Sequence, residues 1–196
     1  ALSIVFAFAL GSGGVSNNGD AEAQYRAQIE AVQAAITEEE AKPEAEWDYN
    51  YYTVLGGYYS TLANAKMNLR EEYVEDYKKA AQLYESALTV TPEGLNEVGQ
   101  AMLYLDIANN YYYANDEENA QKNYETALDL APTEWTVANS YSAYLFNAKG
   151  LEEAKLYLNE YKELVKDDEA KVAQADAQID YLQQFYDAIM KQFEEQ

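Results

Sequence analysis

The sequence predicts an all-α protein, a solenoid of antiparallel helix hairpins, and three observations predict it. Ala80, Tyr84, Ala87 and Pro92 are spaced by 4, 3 and 5 residues. Ala120, Tyr124, Ala127 and Pro132 repeat those gaps, and Ala154, Leu158 and Tyr161 repeat the first two. Each set follows another with gaps of 3, 1 and 3: Tyr52, Leu55, Gly56, Tyr59; then Tyr104, Ile107, Ala108, Tyr111; then Ala138, Tyr141, Ser142, Leu145. Recurrent small residues let helices touch, and recurrent aromatics fill the spaces between them. After the last set, Val172, Ile179, Leu182, Tyr186, Ile189 and Phe193 form one apolar stripe on a charged helix, as suits a helix that caps a stack.

The elements follow in order. Residues 1–10 are the only strongly apolar run, and 11–20 form a linker with Gly11, Gly13, Gly14 and Gly19. Residues 21–196 make up the helical domain. Its first helix is predicted from about Asp20 to Ala41, ahead of Pro43, with Tyr25, Ile29, Val32 and Ile36 on one face. Hairpins are predicted at about 44–68 with 71–90, 95–114 with 117–130, and 134–148 with 151–165, Gly150 serving the last turn. A final helix over 168–194 makes eight, with no strand inside the domain.

These spaced residues resemble the tetratricopeptide repeat, whose signature is W-x2-L-G-x2-Y, then A-x3-F, then P. The resemblance covers roughly 47–165 in three degenerate copies, of which 101–132 is the cleanest. Tyr replaces Trp and Phe at several positions, and Lys166 stands where the third copy would close with Pro. The first copy has twelve extra residues between Tyr59 and Ala80, read as both helices of that hairpin growing by a turn or two. The resemblance implies a concave, peptide-binding groove lined by the first helix of each hairpin. Its pattern puts Asn50, Thr53, Gly57, Met102, Leu105, Asn109, Tyr112, Asn139, Ala143 and Phe146 on that face. None is basic, so the cationic clamp with which some members hold acidic peptide ends is missing. Gly57 and Ala143 would let a backbone approach closely. Asn109 and Asn139 would offer donors and acceptors to an extended main chain. Met102, Leu105, Tyr112 and Phe146 would supply apolar walls.

Composition narrows the function. Thirty-five acids against 13 bases give a formal charge of −22, unsuited to nucleic acid or anionic lipid headgroups. There is no cysteine and no histidine, which removes thiol nucleophiles, Cys/His zinc sites and Ser–His catalysis. No carboxylate pair stands out for glycosidase-type chemistry, and the sequence predicts no enzyme, cofactor or metal. The acidic runs Asn115–Asn119 and Asp167–Glu169 lack the ligand spacing and glycine of a calcium loop and are read as helix caps. Twenty tyrosines exceed what the repeats use. Tyr111, Tyr112 and Tyr113 cannot all face one core, being about 100° apart on a helix. Some are therefore expected on a groove or an outer contact.

Residues 1–10 break the helical pattern. Leu2, Ile4, Phe6, Phe8 and Leu10 alternate with smaller residues, the period-two signature of an extended strand with one bulky face. Ten apolar residues before a glycine linker are too few to span a membrane, which takes about twenty. The segment also reads as the end of a secretion signal or anchor. Two functions follow. One is an exported, extracellular subunit that polymerises head to tail, each copy's apolar segment entering the next copy's groove. The alternative is a membrane-anchored, outward-facing scaffold that recruits cell-envelope proteins.

Overall fold

The computed structural model describes residues 18–194, and the expected N-terminal strand and most of its linker lie outside them. Among the described residues the chain is all-α, with eight α-helices, one 3-10 turn and no strand. The helices are α1 (Asn18–Glu40), α2 (Tyr49–Asn68), α3 (Val74–Thr89), α4 (Glu97–Tyr113), α5 (Glu117–Leu130), α6 (Trp135–Lys149), α7 (Leu151–Leu164) and α8 (Glu169–Glu194). Each packs on the next along the chain, and α4 also touches α6, as α6 touches α8. No helix among the described residues is long and apolar enough to cross a membrane.

Local chemistry sets the helix ends. The predicted start of the second helix at 44 moves to Tyr49, because residues 44–46 form their own 3-10 turn after Pro43. Asp48 then accepts a hydrogen bond from the Tyr51 N–H at 2.9 Å and caps α2. Asn96 caps α4 through the Gly99 N–H at 2.8 Å, and Asp116 caps α5 through the Asn119 N–H at 3.2 Å. Asp168 accepts from the Lys171 N–H at the start of α8. The two acidic runs thus meet helix N-termini, where carboxylates oppose the positive end of the helix dipole. Gly150, at φ 100°, ends α6 and opens α7, a backbone angle that a side chain would strain. The twelve extra residues of the first copy are shared out. They lengthen α2 by about two turns beyond Tyr59, extend the loop to α3, and start α3 about one turn earlier relative to Ala80.

The repeated positions are largely the buried ones. Ala80, Ala87, Ala108, Ala120, Ala127, Ala138 and Ala154 have no accessible surface. Tyr84, Tyr124 and Tyr161 are buried between helices, as are Leu55, Ile107 and Leu158. Gly56 shows why one of these positions stays small: an added Cβ would lie 3.2 Å from the Tyr84 ring. A main core runs from Tyr84 on α3 to Leu182 on α8, and a second joins Ile36 of α1 to Tyr51, Leu55, Leu62 and Leu83.

The C-terminal stripe needs a correction. Leu182 is fully buried and Val172 and Ile179 pack on the main core, but Tyr186 is exposed and Phe193 is 69% exposed. The reason is length. At 26 residues α8 outruns α6 and α7, of 15 and 14, so among the described residues its last turns have no helix to cover.

Candidate peptide-binding groove

The expected groove positions lie on α2, α4 and α6, the first helices of the three hairpins. Asn50 is exposed near the start of α2. Thr53 is half-buried, and its hydroxyl donates back to the Tyr49 carbonyl at 2.9 Å, so it is already used. Gly57 is half-buried beside α3: a Cβ there would sit 3.6 Å from the Tyr84 hydroxyl. On α4, Met102 and Tyr112 are half-buried against the main core, and Phe146 on α6 meets Phe185 of α8 with ring centroids 5.7 Å apart.

Two residues expected as groove lining are buried. Leu105 is 1% exposed within the main core, and Ala143 is also buried, so neither offers an open wall to a ligand. Asn109 is half-buried, and its Oδ1 accepts a hydrogen bond from the Tyr124 hydroxyl at 2.5 Å. Asn139 is half-buried, with its main-chain carbonyl taken by the Ser142 hydroxyl at 2.7 Å. Leu2, Ile4, Phe6, Phe8 and Leu10 lie outside the described residues.

The three consecutive tyrosines divide between two neighbouring helices. Tyr111 is buried and donates to Glu85 of α3 at 2.9 Å. Tyr113 stacks on Tyr77 of α3, centroids 5.3 Å apart, while Tyr112 turns edge-on to Tyr144 of α6 at 5.6 Å. None is exposed, because α3 receives Tyr111 and Tyr113 while α6 receives Tyr112. From Gly99 to Tyr113 no residue of α4 is exposed. Burial pushes the Tyr111 phenol up, moves Tyr112 the same way, and takes Tyr113 to about 12.

Sequence reasoning missed a polar cluster where α2, α3 and α4 meet. The Ser60 hydroxyl donates to Asn110 Oδ1 at 2.7 Å, tying α2 to α4, and Asn110 Nδ2 donates to the Asp106 carbonyl at 2.8 Å. Asp106 belongs on the same side of α4 as Met102 and Asn109, four residues before it and three after. Burial pushes its carboxyl up to about 6, since a low-dielectric site disfavours the charged form. Tyr84 rises for the same first reason, helped by the Asp106 charge and opposed by the nearby Ser60 hydroxyl. The carboxylate of Asp106 has no ion pair and accepts no hydrogen bond among the described residues. One signal was available in the sequence: Asp106 is the only charged residue between Glu97 and Asp116.

The site joins a half-buried carboxyl, carboxamides, hydroxyls and apolar side chains, and no group of metal-binding residues occurs among the described residues. No protein-family model and no curated protein matches the chain.

Proposed function

We propose that this is a non-enzymatic, tetratricopeptide-like interaction protein, an exported structural subunit that polymerises head to tail. Residues 1–10 of one copy enter the groove along α2, α4 and α6 of the next. The carrying observation is a match of character. Of the ten expected groove positions, the eight that are not buried carry no charge, and residues 1–17 contain no charged side chain, although the chain as a whole is at −22. An extended ten-residue segment reaches roughly 33 Å. Burying its five large side chains yields roughly 7–15 kcal/mol before ordering costs, enough for a stable joint. Asn50, Asn109 and Asn139 supply amide groups for its main chain, and Met102, Tyr112 and Phe146 supply apolar contact. The acidic remainder keeps formed polymers apart.

The double substitution Phe6→Asp, Phe8→Asp tests this. It places two carboxylates on the bulky face, at a cost of several kcal/mol if they enter an apolar groove. The variant is expected to remain a folded monomer at concentrations where the parent scatters light as long assemblies, with the same thermal melt. Assembly at the parental level would sink the donor-segment reading. Loss of the cooperative melt would place the segment in its own chain's core.

A further inference from the structure

One apolar seam runs the length of α8, and only its first half is used. Val172, Ala175, Ile179 and Leu182 recur at steps of 3, 4 and 3, and Tyr186, Ile189 and Phe193 continue the alternation. Apolar residues repeating every 3.5 positions form the face along which two helices pack over a long distance. The first four are buried in the main core or packed against it. The last three leave it: Tyr186 and Phe193 are exposed, as is Met190 beside them, and Ile189 is half-buried. The preceding hairpin reaches as far as residues 183–185, where Lys155 of α7 donates to Gln183 and Phe146 of α6 meets Phe185. Among the described residues, 186–194 then run on past the hairpin for about 14 Å of helix.

The charge pattern of this overhang suits a second copy of the chain. The protein carries 35 acids, yet from Gln183 to Phe193 only Asp187 and Lys191 are charged. At about 100° per residue, both fall on the far side of α8 from the seam. The positions that flank the seam, Gln183, Phe185, Met190 and Gln192, are uncharged. These flanks are where like charges would meet if two acidic helices paired. The overhang is also complementary to itself. An antiparallel pair about a two-fold axis between Ile189 and Met190 sets Tyr186 of each copy against Phe193 of the other, an aromatic contact made twice. The same register brings the end of each overhang to the edge of the other copy's hairpin, so neither clashes with it. A membrane surface is a poor occupant, because the chain is at −22 and the overhang's polar face holds a single lysine.

We propose that the C-terminal overhang of α8 is a self-association surface, on which the same overhang of a second copy docks antiparallel. Such a contact closes on itself, unlike a head-to-tail joint, so it pairs two subunits or ties one assembled polymer to another. It stands independently of the donor-segment reading. Two faces this short bury less than the roughly 1,200 Å² of a stable interface, so the pair is weak and forms at about 10–100 μM. Because the copies repel at −22 each, association tightens as added salt screens their acidic surfaces.

Sedimentation equilibrium across that concentration range reads the contact in the full-length Phe6→Asp, Phe8→Asp chain, where it is separated from groove-mediated assembly. This chain is expected to pass from monomer to dimer. Adding Phe193→Asp is expected to weaken the dimer at least about 30-fold, since the charge enters the face twice. Phe193 is 69% exposed in the single chain, so its loss should leave the thermal melt unchanged. Adding Ala188→Asp instead puts the same charge on the far side of α8 and is expected to change affinity less than about twofold. A chain that stays monomeric throughout overturns the proposal. A dimer that both substitutions weaken equally, or that Phe193→Asp leaves intact, does the same. A melt lowered by Phe193→Asp also overturns it, because the stripe is then covered by its own chain. A second measurement holds even if longer assemblies persist: oxidised Ile189→Cys protein is expected to give a disulfide-linked dimer across the axis, and Ala188→Cys protein is not. No dimer from Ile189→Cys, or equal yield from both, contradicts the pair.

Discussion

The two flanks of α4 are built from different chemistry. Toward α5 and α6 the contact is aromatic. Tyr124 and Tyr144 stack with centroids 4.7 Å apart, Tyr112 meets Tyr144 at 5.6 Å, and Tyr141 continues the cluster to Tyr157 at 4.9 Å. Toward α2 and α3 an aromatic contact, Tyr113 on Tyr77, is joined by a polar cluster of Ser60, Asn110 and Tyr84 near the buried Asp106. Rings hold their places by dispersion and by area removed from water, even where the hydroxyls of Tyr144 and Tyr157 find no partner. A desolvated carboxylate does the reverse, because it raises the free energy of the folded state at neutral pH.

Removing a ring should break the first flank hardest. Tyr124 is 2% exposed, stacks on Tyr144 and bonds Asn109. Tyr124→Ala is expected to cost about 3–5 kcal/mol in urea unfolding, as for other large aromatic truncations. A loss below about 1 kcal/mol would mean that the aromatic cluster does not hold α5 and α6 to α4.

The second flank should respond with the opposite sign. The folded-state value of Asp106 lies above its ordinary 3.8, so the folded chain binds this proton more tightly than the unfolded one. Its contribution to stability is fully present below about 3.8 and is lost as pH rises through about 6. Asp106→Asn should therefore stabilise the monomer by about 1–2 kcal/mol at pH 7.5, discounted for the partial exposure of the site. That gain should shrink toward zero as pH falls to 4. Urea unfolding of the monomer across this range checks it, and a gain that does not vary with pH would place the effect outside the titration of Asp106.

Much of the fold was legible in the sequence because its signals are local. Repeated alanines marked the close contacts, acidic caps and Gly150 marked helix ends, and the number of helices followed. The groove was less legible. Leu105 and Ala143 occupy positions that would line an open face, yet both are covered, and that depends on how neighbouring hairpins close up. The partnership of Ser60 with Asn110 spans 50 residues and leaves no periodic trace. For the tyrosine triplet an angular argument counts directions without knowing which neighbours α4 has. Asp106 could have been noticed as a lone charge in a helix, but its desolvation is a product of packing.

The central claim is that one copy's N-terminal segment occupies another copy's groove, and the cysteine-free chain allows a direct test. Phe6→Cys protein, carrying a size tag, is mixed with untagged Met102→Cys protein and oxidised under assembly conditions. The account predicts a mixed disulfide-linked dimer on a non-reducing gel, with yield that rises with concentration and falls when unlabelled parent competes. Absence of the mixed product, with a Phe6→Cys, Met102→Cys double variant closing only within its own chain at every concentration, would contradict it.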